Sequence, residues 1–198
     1  PADETFLEQL VAPIVAGAAS AAYARQITAP DADPNETYRR LAHYGPLSRL
    51  KTRADRRTMG IRALMFSDTA SAIRRDIFEA LGRYEAVNTN EDMLFCATLL
   101  DASHTVAYAA SARVYHTHRE SAASLLRRYI EIGLFMGCWR NRLGMLAGSG
   151  DGLRFLAGQM QYLLTRRQWR AVPRCLVETA CKYIGFHFGV ARSRRTTV

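Results

Sequence analysis

The stretch Asn88-Thr89-Asn90-Glu91-Asp92-Met93-Leu94-Phe95-Cys96 places two adjacent carboxylates where a polar turn runs into an apolar helix. A helix N-terminus carries unpaired N–H groups and a partial positive charge, so acidic side chains are stabilised there as anions. An ionised carboxylate is what a general base must be. Met93, Leu94, Ala97, Leu99 and Leu100 supply the apolar side of the helix, which predicts a carboxylate end held at the lip of a core. Thr89 and Asp92 also fit a capping-box-like spacing, and acid in a first turn is ordinary helix chemistry. The spacing by itself leaves both readings open.

Two further clusters carry chemistry. Ser67-Asp68-Thr69-Ala70-Ser71 combines hydroxyls with a carboxylate, which suits recognition of sugar hydroxyls and equally suits a simple helix N-cap. His116 and His118 lie two apart at the end of an alternating segment, so on a strand they face the same side and could share a metal or a diphosphate. Two histidines do not complete a site, and a loop-edge pair is the plainer alternative.

Elements must position these groups. Residues 4–16 read as an amphipathic helix, 18–27 as a buried alanine-rich strand, and Pro30 to Pro34 as a loop. A helix is expected from Glu36 to about Leu50, interrupted near Gly45-Pro46. The run 51–57 has no apolar period and reads as a surface loop or a segment ordered on binding. Arg62–Phe66 predicts a short strand, and Ile73–Leu81 a helix closed by Gly82. Thr105–Tyr115 alternates as a strand, and three helices follow at about 120–146, 151–166 and 171–189. The first carries Leu125, Tyr129, Ile132, Met136 and Trp139 among arginines, a pattern suited to an anionic membrane surface or to packing on the preceding sheet. Arg192, Arg194 and Arg195 read as a frayed basic tail.

With 198 residues and 48% hydrophobic content the chain can bury a real core. It opens at Pro1 without an initiator Met and runs straight into helix-like sequence, which reads as a fragment. The net charge of +9 is almost wholly arginine, since Lys51 and Lys182 are the only lysines. Arginine's planar fork suits phosphates, whether nucleotide diphosphate, lipid headgroup or nucleic acid. Nucleic acid is disfavoured because the aromatics sit at core-like spacings and no recognition motif is present. Cys96, Cys138, Cys175 and Cys181 lack the close pairing of a zinc or redox motif and read as buried free thiols of a reducing compartment. No stretch is apolar enough to span a bilayer.

Taken in order, Phe66-Ser67-Asp68-Thr69-Ala70-Ser71-Ala72-Ile73-Arg74-Arg75, Ala80-Leu81-Gly82-Arg83-Tyr84-Glu85, Asn90-Glu91-Asp92 and Ala112-Arg113-Val114-Tyr115-His116-Thr117-His118 resemble the acceptor half of family 2 glycosyltransferases, and bacterial rhamnosyltransferases of surface-polysaccharide assembly in particular. The resemblance covers roughly residues 1–190. It implies an α/β fold, the C-terminal portion of a GT-A glycosyltransferase (a mixed sheet with flanking helices) over residues 1–118. Amphipathic C-terminal helices over 119–198 would follow and contact the membrane. The half that binds the donor nucleotide and carries the metal-binding Asp would precede Pro1.

By the family's motif Asp92 matches the catalytic base and Glu91 its neighbour at the acceptor pocket, while Ser67, Asp68 and Ser71 would line the acceptor side. His116 matches a late metal or diphosphate contact, with His118 beside it, for Mg²⁺ or Mn²⁺. Arg127 and Arg128 follow as diphosphate partners, since guanidinium pairs well with phosphate oxygens. The implied reaction is inverting transfer from a nucleotide sugar such as dTDP-rhamnose to a lipid-linked or polysaccharide acceptor, by a cytoplasmic protein peripheral to the inner face of the bacterial cytoplasmic membrane. Two departures stand out: Arg83 where the family usually has a second glycine, and Ala24 where a glycine before Arg-Gln is common. The competing class is a non-catalytic basic module that binds anionic membrane surfaces or polymers.

Overall fold

The computed structural model describes residues 4–117, 120–144 and 149–196. The chain forms two compact units with interleaved segments: Pro1–Ile27, His43–His116 and Arg142–Met145 in one; Thr28–Ala42, Thr117–Asn141 and Leu146–Val198 in the other.

The first unit is built on a four-stranded mixed sheet. β1 (Ala21–Ile27), β2 (Arg49–Lys51), β3 (Ser71–Ile73) and β4 (Val106–Tyr115) lie in the order β2-β4-β1-β3. β1 runs parallel to β4, and the two outer strands run antiparallel to their neighbours. Alternation along the strands divides the side chains between the two faces. On one face Ala22, Ala24, Ala107, Ala109 and Ala112 form a flat floor on which α1 (Phe6–Val15) lays Phe6, Leu10 and Ile14. On the other, the rings of Tyr23, Tyr108 and Phe66 meet, with Tyr23 5.2 Å from Tyr108 and 5.5 Å from Phe66. The alanine-rich strand and the final alternating strand thus form as the sequence predicts.

Several connections differ from the sequence reading. The basic run 51–57 is not a loop, because Lys51 ends β2 and Asp55–Met59 forms α3. Lys51 is 2% exposed, donates Nζ to the Met65 carbonyl and lies 4.7 Å from the centre of the Tyr23 ring. Burial lowers its pKa. Arg62–Phe66 is not a strand either: Gly60–Leu64 is a 3₁₀ turn, and Ala63 and Leu64 are both fully buried, which an alternating strand on a one-sided sheet cannot do. Ile73 closes β3 and the following helix, α4, is only Arg75–Ala80. α2 (Pro34–His43) stops before Gly45.

The second unit is helical. α2 packs with α7 (Ser149–Thr165), where Tyr38 sits 5.2 Å from Phe155 and 5.4 Å from Tyr162 by ring centres. Buried Asn35 accepts from Gln159 Nε2 at 2.8 Å and donates to the Ala171 carbonyl at 3.0 Å, so its amide is satisfied on both sides. α6 (Ala122–Leu143) and α8 (Val172–Thr196) cross closely at glycines: a Cβ on Gly133, Gly185 or Gly189 would collide with the backbone of the facing helix. α6 thus meets α8 through the side that carries Leu126, Ile130, Gly133 and Leu134. The C-terminal arginines are helical through Thr196 and not a frayed tail, with Ser193 buried and its Oγ donating to Val190 O at 2.8 Å. All four cysteines are free. Cys96 and Cys175 are buried as expected, Cys181 is half-buried, and Cys138 is exposed. Among the described residues, no helix is long and apolar enough to cross a membrane.

Candidate active site

α5 (Glu91–Asp101) starts where the sequence places it. Asn90, the residue before it, adopts φ 61°, a left-handed conformation that Asn tolerates well, and its side chain makes no capping bond. Thr89 Oγ1 instead meets Asn90 Oδ1 at 3.0 Å. The capping-box alternative is therefore not what holds this turn. The helix is fixed from below: Leu94, Leu99 and Leu100 are fully buried, and Phe95 lies 5.1 Å from Phe78 and 5.3 Å from Tyr84 in edge-on ring contacts.

Asp92 sits half-buried above this aromatic floor. Its Oδ1 accepts the Met93 N–H at 2.7 Å, and it also accepts the backbone N–H of Asp68. Burial pushes its pKa up to about 6, reinforced by the charges of Asp68 and Glu91, while the two backbone bonds oppose the shift. Tyr84 closes the cluster. Its ring stacks edge-on with Phe78 at 5.2 Å, its hydroxyl bonds with Ser71, and burial beside Asp68, Asp92 and Glu91 pushes its pKa up to about 12. A protonated phenol thus stands beside a basic carboxylate at neutral pH.

The structure brings Asp68, Ser71, Glu91 and Asp92 together around Tyr84. Ser67 is buried one residue behind them, its hydroxyl accepting from Gln26 Nε2 at 2.7 Å, and it anchors the turn that presents Asp68. His116 follows the end of β4, half-buried, with its N–H on the Ile27 carbonyl at 3.0 Å. His118 lies outside the described residues. Arg127 and Arg128 are exposed on α6 in the second unit, where Arg128 pairs with Glu120 at 3.2 Å. Among the described residues, no three His, Cys, Asp or Glu side chains form a set able to hold a metal ion.

Sequence reasoning missed Tyr84, Gln26 and the aromatic floor. The signal for Tyr84 was present in its place after the Gly82-Arg83 turn, where both residues take positive φ, 87° and 67°. Two left-handed residues in a row reverse the chain after α4 and bring Tyr84 back over Phe78.

Over 168 residues, 83% of its length, the chain is 34% identical to the O-antigen chain rhamnosyltransferase WbaN of Salmonella anatum. It is 34% identical over 168 residues to the O-antigen chain rhamnosyltransferase RfbN of Salmonella typhimurium. The chain is rhamnosyltransferase-like. The matched span is 53% of each of these proteins, so the chain spans about half the length of the curated relatives it matches. No family model and no solved structure matches it.

The motif order that pointed to rhamnosyltransferases is borne out at this level. Arg83 and Ala24, where the sequence resemblance leads one to expect glycine, both stand where the backbone is irregular. Arg83 carries φ 67°, a conformation that costs a non-glycine residue about 1–2 kcal/mol. Ala24 stands at the register shift between β1 and β4, where Ala24 faces Ala109 and Arg25 faces Arg113.

Proposed function

We propose that this chain is the acceptor-binding and catalytic-base part of an inverting family 2 glycosyltransferase of GT-A type. It would transfer a sugar, rhamnose by similarity, from a nucleotide donor such as dTDP-rhamnose to a lipid-linked or polysaccharide acceptor in surface-glycan synthesis, at the inner face of the cytoplasmic membrane. The observation that carries this reading is Asp92: a half-buried carboxylate with a pKa near 6, set among a phenol, a serine and two further carboxylates. Such a group is ionised at pH 7 yet more basic than an exposed aspartate, which is what proton removal from an alcohol requires.

In the proposed step Asp92 takes the proton of an acceptor hydroxyl as the oxygen bonds to the anomeric carbon. The bond from that carbon to the donor's phosphate oxygen breaks on the opposite face, and its electron pair leaves with the nucleotide diphosphate. Glu91, Asp68, Ser71 and Tyr84 offer acceptors and donors for the remaining sugar hydroxyls, with Ser67 behind them. The described residues offer His116 towards a divalent ion but no ligand set, so no step is routed through metal. An ion such as Mg²⁺ or Mn²⁺ would neutralise the leaving diphosphate, and Arg127 and Arg128 are the guanidinium candidates for the same charge.

The test is transfer by the full-length protein from dTDP-rhamnose to a glycan acceptor. Asp92→Asn should lower kcat by about 10²- to 10⁴-fold while donor affinity, read by calorimetric titration, stays within a factor of about two. Transfer retained by Asp92→Asn would remove Asp92 from the mechanism.

A further inference from the structure

α8 has a buried face of small and polar side chains and, opposite it, an apolar face left exposed among the described residues. Cys175, Gly185, Gly189 and Ser193 are buried on one side, with Gly185 and Gly189 against α6. The opposite side presents Leu176, Val177, Tyr183, Ile184 and Phe188, each more than half exposed and Tyr183 66% exposed, with the exposed His187 ring among them 4.3 Å from Tyr183. Their spacing puts them on one arc of the helix, because side chains three, four and seven apart share a face. Trp169, in the turn before α8, is 61% exposed. A stripe of aliphatic and aromatic side chains of this length marks a docking surface and not a solvated face.

The charges around the stripe select its occupant. From Gly152 to Val198 the sequence holds nine arginines and lysines and a single acid, Glu178. That acid is buried and engaged by Arg39 and, at 2.8 Å, by Arg174. Along the chain the exposed stripe is flanked by cations, Arg166, Arg167 and Arg170 before it and Arg192, Arg194 and Arg195 after it, while Asp33 from outside α8 pairs with Arg174 at 3.4 Å. Phe188 and Ala191 line a shallow pocket together with Arg192 and Arg195, an apolar floor under two guanidinium groups. Apolar and aromatic side chains at the acyl boundary with guanidinium on the phosphates is the pattern of a helix lying in an anionic bilayer interface. A second copy fits poorly: parallel pairing sets Arg194 against Arg194, antiparallel pairing sets it near Arg170, and the stripe has no acid to offset either.

We propose that the exposed stripe of α8 is the surface by which this protein lies on an anionic lipid bilayer, α8 in the plane of the interface. The inference rests on the peripheral location within the proposed function and names the element responsible. It does not depend on the chemistry at Asp92.

The test is co-sedimentation of the chain with phosphatidylcholine vesicles, with and without phosphatidylglycerol, alongside circular dichroism melts and size-exclusion chromatography. Wild type should bind the anionic vesicles about tenfold or more tightly than the neutral ones. The Ile184→Ser/Phe188→Ser double variant, altered only at exposed side chains, should melt as wild type does and bind about tenfold or more weakly. Arg194→Gln/Arg195→Gln should weaken binding by a similar factor and flatten its salt dependence. Asp92→Asn should sediment as wild type does. Wild-type binding that the stripe variant keeps would overturn the role of α8 and leave the peripheral location standing. No vesicle binding by wild type would remove both, as would a dimer that the stripe variant dissociates.

Discussion

Asp55, Asp76 and Asp92 occupy the same local position, the first turn of α3, α4 and α5, yet their pKa values are shifted in opposite directions. Asp55 accepts the Thr52 N–H at 2.8 Å and pairs with Arg49 at 3.0 Å, and these bonds hold its carboxyl below the usual range. Asp76 is held down by the Arg74 guanidinium, 2.6 Å away in open solvent. Asp92 has a helix start as well, yet burial and two acidic neighbours push its pKa up to about 6. The helix terminus is therefore not what decides. What lies over the carboxylate decides: the Thr52 N–H with Arg49 for Asp55, Arg74 in open solvent for Asp76, and the Ser67–Ser71 turn and an aromatic floor for Asp92.

The sharpest way to break this contrast is pH. Transfer by the full-length protein should fall about tenfold per unit below pH 6, because Asp92 must be ionised to accept a proton. A kcat/KM profile that is flat from pH 7 to 5 would end the claim. Stability should move the other way. A carboxyl whose folded pKa is raised binds its proton better when folded, so it adds stability as pH falls from 7 through 6 towards the unfolded value near 4. The expected gain is about 2 kcal/mol, and chemical denaturation of Asp92→Asn should lack it. Asp55 has the opposite sign, its contribution being present above the unfolded pKa and lost as pH falls through the folded one.

A smaller effect is expected at Tyr84. Tyr84→Phe keeps the ring on Phe78 and Phe95 but removes the hydroxyl bonded to Ser71, and should raise acceptor KM about three- to tenfold, one hydrogen bond's worth. An unchanged KM would leave Tyr84 a packing residue only. The smallest effect belongs to Asp76: Asp76→Asn breaks an exposed pair of little value, and neither melting temperature nor transfer should change measurably.

Much of the framework could be read from pattern. β1, β4, α5 and the three C-terminal helices have the periodicity of what they bury, and Asp92 stands at a helix start that turn residues announce. What escaped the sequence is what periodicity cannot encode. β2 is three residues long and ends in a lysine that is buried because a carbonyl and a tyrosine face receive it. The 3₁₀ turn at Gly60–Leu64 was mistaken for a strand because both bury short apolar runs. The membrane reading began on α6, where Leu125 and Met136 of the stripe are in fact buried. The uncovered stripe on α8 was missed because the buried side of that helix is small and polar, with Glu178, Gly185, Gly189 and Ser193, so its apolar positions read as the packed side.

One feature of the sheet governs how this protein can be made. β4 is an inner strand, hydrogen-bonded to both β1 and β2, and its pairing with β1 joins segments whose flanking residues Ser20 and His104 are 84 positions apart. During synthesis β1 and β2 leave the ribosome before the strand that unites them exists. Until then the alanine floor beneath α1 has no second strand, and the first unit must wait, its apolar segments open to wrong partners. The β1–β4 pairing at the centre of this unit can therefore form only once residues 106–115 have been made.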